Sequence, residues 1–77
     1  MITSGQLRAA RALLKITASD LADISGIGIS TIKRFELSEG IPSGNIKTIG
    51  ALKKALEVAG IEFIGDPEDR PGVRLKI

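Results

Sequence analysis

Apolar residues recur at helical spacing along the first sixty positions, in four runs whose second and third breaks carry glycine. In the first run Leu7, Ala10 and Leu14, helped by Leu13, share one face, while Arg8, Arg11 and Lys15 supply a polar one. That pattern predicts an amphipathic helix over about residues 4–15. Thr3 and Gln6 have capping-box spacing, in which each side chain satisfies an exposed N–H at the helix start. The second run, with Leu21, Ala22 and Ile24 as its buried stripe, predicts a helix from Ala18 to Ser25, opened by Thr17 and Asp20 as a similar pair. A third helix is predicted from Ile29 to Leu37, with Ile32, Phe35 and Leu37 inward and Ser30, Thr31, Lys33 and Arg34 outward. Asn45 is a strong N-cap for a fourth helix over residues 46–59, whose inner face holds Ile46, Ile49, Leu52, Leu56 and Ala59. Gly60 stops it.

After Gly60 the period changes from helical to twofold. Val73, Leu75 and Ile77 alternate with Arg74 and Lys76, as in a half-buried strand with a charged outer face. Ile61 to Ile64 offers a partner strand, and the proline-bearing stretch from Asp66 to Gly72 reads as a loop. Two pairings stay open: a hairpin within the chain, or a final strand that pairs with another chain.

The break SGIGIS, residues 25–30, separates the second and third helices. Gly26 suits a C′ position, where a left-handed backbone costs a residue without Cβ almost nothing, and Gly28 is tolerated as the next N-cap. Two short helices joined by such a turn form a helix-turn-helix, whose second helix can enter the major groove of duplex DNA. A plain helical module has the same spacing, so the turn alone does not decide between them.

Composition removes several other classes. With 43% hydrophobic and 26% charged residues the balance is globular, and 77 residues suffice for one domain. We divide it into a helical unit over residues 1–60 and a strand extension over 61–77, packed on the same domain or at a dimer interface. Cysteine and histidine are both absent, which excludes thiolate nucleophiles and nitrogen–sulfur zinc sites. No phosphate-binding glycine loop follows a strand, so neither an enzymatic role nor a cofactor or metal is expected. The first residues lack the features of an export signal and no run approaches a membrane span, which gives the expectation of a cytoplasmic protein. The net charge of +2 permits a polyanionic partner without requiring one, because it divides as +1 on each side of Gly40. Two phenylalanines at inward positions are the only aromatic residues, a poor fit to single-strand stacking.

From Thr3 to Ala59 the chain resembles the Cro/repressor-type helix-turn-helix family, often called the XRE family. The residues that carry the resemblance lie in QLRAARALLKITASDLADISGIGISTIKRFE, where LRAARALL, DLA, ISG, STI and FE sit at the family's customary positions. The resemblance implies a mainly α, lambda-repressor-like bundle with helices 2 and 3 as the helix-turn-helix. Its implied function is that of a DNA-binding transcription regulator, a repressor, reading duplex DNA with helix 3.

Carried over residue by residue, Ile29, Ser30 and Arg34 fall where the family reads base edges. Arg34 is the strongest of these, since a guanidinium bonds bidentately to guanine O6 and N7. Thr31 and Lys33 are expected at phosphates, with Ser43, Gly44 and Asn45 offering N–H groups from the loop and helix start. Arg11 and Glu36 fall where family members pair helices 1 and 3. Ile29 and Ala18 depart from the pattern, which commonly has a polar residue at the first position and a backbone-clamping glutamine at the second. A homodimer is expected, because two helices related by a two-fold axis read two half-sites. The alternative that the resemblance leaves open is an antitoxin-like module whose partner is a toxin or another protein.

Overall fold

The computed structural model describes residues 1–40 and 46–76. Four helices, α1 (Ser4–Leu14), α2 (Ala18–Ser25), α3 (Ile29–Leu37) and α4 (Ile46–Val58), are followed by strands β1 (Ile61–Asp66) and β2 (Asp69–Leu75). Among the described residues no helix is long and apolar enough to cross a membrane.

Local chemistry sets the helix ends. Thr3 Oγ1 accepts from the Gln6 N–H at 3.0 Å and Gln6 Oε1 from the Thr3 N–H at 2.8 Å, a complete capping box. Thr17 and Asp20 make the same reciprocal pair at 3.0 Å in both directions. Ile2, immediately before the Thr3 cap, and Leu7, four residues after it, are both buried. That spacing is a hydrophobic staple, and it brings Ile2 into the core, a position the helical pattern alone did not reach. Lys15 ends α1 in the left-handed region at φ 58°, its N–H bonded to the carbonyls of Ala12 and Arg11.

The core is one cluster built from every element but the outer strand: Leu7, Ala10, Leu21, Ile32, Phe35, Ile49, Leu52, Leu56 and Ile61, closed by Ile2. Each fully buried aliphatic side chain contributes about 1.5 to 3 kcal/mol by leaving water. Four helical residues expected to face inward do not, nor does Leu75 of the last strand, at 36% exposure. Leu13 and Ile24 are 40% and 53% exposed, and Leu37 and Ile46 are 86% and 71% exposed. Ile46 opens α4 before the helix reaches the core, and Leu37 ends α3 about 200° around the helix from Phe35, on the opposite side.

β1 and β2 form an antiparallel hairpin within the chain, pairing Ile61 with Leu75, Phe63 with Val73 and Ile64 with Gly72. The strands run further than the prolines implied. Only Pro67 and Glu68 turn the chain, so the expected loop from Asp66 to Gly72 is mostly strand. Between the Ile64–Gly72 and Asp66–Asp69 pairs, Gly65 stands opposite both Arg70 and Pro71, a bulge in which the missing Pro71 N–H interrupts no ladder bond. Gly65 and Arg70 both take positive φ there, 73° and 54°. The hairpin lies against α1, where Gln6 Nε2 donates to the carbonyls of Gly72 at 2.9 Å and Ile64 at 3.3 Å.

Candidate nucleic-acid interface

The turn between α2 and α3 is Gly26-Ile27-Gly28. Gly26 ends α2 at φ 74° with its N–H on the Ala22 carbonyl at 2.9 Å. A side chain at either glycine would meet open space, so Gly26 is there for its backbone rather than for clearance. Gly28, at φ −61°, sits in a region open to any residue and caps α3 without a side-chain bond. Its carbonyl accepts from the N–H groups of Thr31 and Ile32 at 3.1 and 3.2 Å. Ile27 packs partly buried on the core beside Ala22, which fixes the angle between the two helices.

The inner face of α3 is Ile32, Phe35 and Glu36, all buried. Its outer face follows from the period: Ser30, Lys33, Arg34 and Leu37 stand at i, i+3, i+4 and i+7 and all are exposed. Ile29 is on the shoulder at 38% exposure and Thr31 is half-buried on the flank. The Arg34 guanidinium carbon lies 5.5 Å from the centroid of the Phe35 ring, a cation–π contact that orients the group without neutralising it. Among the described residues neither Lys33 nor Arg34 enters an ion pair. Ser43, Gly44 and Asn45, expected at the DNA backbone, lie outside the described residues. Ala18 is half-buried at the first position of α2, with no side-chain donor to offer an anion.

Glu36 fixes the far end of α3. Its carboxylate receives Arg11 bidentately, Nε to Oε2 at 2.8 Å and Nη2 to Oε1 at 2.7 Å. The Glu36 side chain is 10% exposed and that of Arg11 26%. The hydrogen bond to Glu36 holds the Arg11 guanidinium above its ordinary pKa, against the opposing effect of burial. Arg11 also donates to the Ile16 carbonyl at 3.2 Å. Arg8, which the sequence assigned to the polar surface, adds a second anchor by donating to the Glu36 backbone carbonyl.

Leu37 is the member of the outer face that the sequence reading placed inward. The signal was present, since seven residues from Ser30 is two helical turns. The chemistry on offer is therefore one guanidinium, one ammonium, one hydroxyl and one aliphatic side chain on a single convex rod. Among the described residues there is no group of three or more histidine, cysteine, aspartate or glutamate residues that could hold a metal ion.

No curated protein matches the chain. The family model described as Helix-turn-helix matches residues 7–63, a span that runs from the core of α1 through the turn, α3 and α4 into β1. With that match across most of its length, the chain belongs to the Cro/repressor-type (XRE) helix-turn-helix family and is a DNA-binding regulator.

Proposed function

We propose that the chain is a cytoplasmic, sequence-specific repressor that binds duplex DNA as a homodimer and inserts α3 into the major groove. The observation that carries this reading is the division of α3 into two faces. One is fixed to the core through Ile32, Phe35 and Glu36, and the other presents Ser30, Lys33 and Arg34 to solvent. Arg34 reads guanine, worth about 1 to 3 kcal/mol of discrimination. Ser30 bonds a base edge, and Ile29 and Leu37 meet thymine methyl groups. Lys33 and Thr31 meet phosphates, joined by Ser43, Gly44 and Asn45. No step of this reading needs a cofactor or gives the chain a catalytic role.

Selection of bound duplexes from a random pool, followed by titration at several salt concentrations, tests it. The enriched sites should hold paired half-sites, and log affinity should fall with log salt by roughly 0.9 per phosphate neutralised. Arg34→Ala should lose discrimination between sites while the fold persists; a pool without enrichment rejects the proposal. A protein partner, as in an antitoxin, is the second reading. It is favoured by the 86% exposure of Leu37, an aliphatic side chain suited to a protein surface, and an affinity indifferent to salt would support it.

A further inference from the structure

Among the described residues two other than glycine take the left-handed backbone, Lys15 at φ 58° and Arg70 at φ 54°. That conformation costs any residue with a Cβ, and a helix that ends this way most often ends on glycine. Arg70 has a partner, since its Nε donates to Asp69 at 2.8 Å. Lys15 is exposed, and among the described residues it enters no ion pair. Its backbone is nonetheless fixed. The Lys15 N–H bonds the carbonyls of Ala12 and Arg11, and the Ile16 N–H bonds the Arg11 carbonyl at 3.2 Å. Leu14 and Ile16, on either side, pack against the core. The chain thus presents an ammonium outward from a rigid corner, at a position where glycine is the less strained residue.

That corner is tied to the trailing end of α3. Arg11 Nη1 donates to the Ile16 carbonyl at 3.2 Å, while Nε and Nη2 of the same guanidinium hold the Glu36 carboxylate at 2.8 and 2.7 Å. The same bonds match the charge of Glu36, so it makes no claim on the ammonium. From this arrangement we infer that Lys15 binds a DNA phosphate at the wall of the groove that α3 enters, a contact that rests on the major-groove reading above. A helix about 10 to 12 Å across fills a major groove about 12 Å wide. An element tied to the flank of that helix is carried over the groove wall, and the wall is sugar and phosphate. Lys15 meets it as a point charge on a flexible stem, which suits a phosphate and carries no base preference.

Lys15→Gly and Lys15→Asn in the full chain test the inference, because both residues accept the left-handed backbone and neither carries charge. Each variant should keep or raise the melting temperature while its affinity for duplex DNA falls. The fall should be about eightfold at roughly 0.1 M salt for each chain bound, the counterion share of one phosphate. It should be equal on enriched and on scrambled duplexes, and the slope of log affinity against log salt should shrink by roughly 0.9 per chain. Lys15→Arg should keep the wild-type slope. A purely structural role would move stability and binding together, whereas here they move apart. Wild-type affinity and slope in Lys15→Gly overturn the inference, as does a loss confined to the enriched site. Arg34→Ala should instead lose discrimination between sites, so a failure of this contact and a failure of base reading are seen separately. A wild type without salt-dependent binding removes the major-groove reading and this contact with it.

Discussion

The Gln6 side chain donates to the carbonyl of Gly72, 66 positions later, while its oxygen accepts from the Thr3 N–H in the cap of α1. One carboxamide thus closes the start of the first helix and latches the last strand to it. Gln6 is 4% exposed, and its bonds to the strand are part-buried. Gln6→Leu should destabilise the chain by about 2 to 3 kcal/mol in urea unfolding, because a cap N–H and two strand carbonyls lose their partner together. Amide exchange should quicken first in β2.

Arg11→Met should cost about 2 kcal/mol. The Glu36 carboxylate is left nearly buried and unmatched, and the partial exposure of Arg11 keeps the loss below that of a fully buried pair. The double variant Arg11→Met/Glu36→Leu should recover part of that loss, so that the double-mutant cycle in thermal unfolding gives a clear coupling energy. Strict additivity would show that the pair is held without benefit.

The two hairpin glycines should respond differently. A Cβ on Gly65 would stand 2.2 Å from the Arg70 carbonyl oxygen at a positive φ, whereas one on Gly72 would meet side-chain atoms alone, Ile64 Cγ1 at 3.2 Å and Cδ1 at 3.4 Å. Gly65→Ala should cost about 2 kcal/mol or more and loosen the bulge. Gly72→Ala should cost under about 1 kcal/mol on the same denaturation curves.

Asp20 gives α2 an acid-sensitive start. The Thr17 N–H and hydroxyl hold its pKa below the ordinary carboxylate value. A carboxylate with a depressed folded pKa contributes stability that is fully present above its unfolded pKa of about 3.9. That contribution is lost as pH falls through the lower, folded value. Wild type should be more stable than Asp20→Asn above pH 4 and should lose that advantage in more acidic solution; parallel melting curves across that range would remove Asp20 from the acid response.

The ends of α2 and α3 were legible because they depend on neighbours in sequence. Thr17 with Asp20, and Gly26 with Gly28, state their positions without reference to the rest of the fold. Periodicity failed where an apolar residue lies outside the core. Ile24 and Ile46 stand one turn from the buried Leu21 and Ile49, and helical spacing cannot distinguish a side chain that the chain covers from one it leaves in the open, whereas the period itself sets Leu37 opposite Phe35. The hairpin was under-read for a different reason. Pro71 counts against a strand until the bulge at Gly65 is known, and a bulge is a property of two strands together. At the interface, the charged members of the outer face could be named in advance, but the second anchor from Arg8 could not, since its partner is a backbone carbonyl 28 positions away.

α3 is gripped at its trailing end by two arginines of α1, while its leading end begins at a glycine that offers no side-chain cap. Mechanically the rod is clamped by charge at its root and held at its tip by the packing of Ile27 and Ile32 without a polar tie. On the proposed interface Arg34 sits near the clamp and Ser30 near the other end. Substitutions in the operator should therefore be tolerated least beneath Arg34 and most beneath Ser30, whatever bases each of them meets.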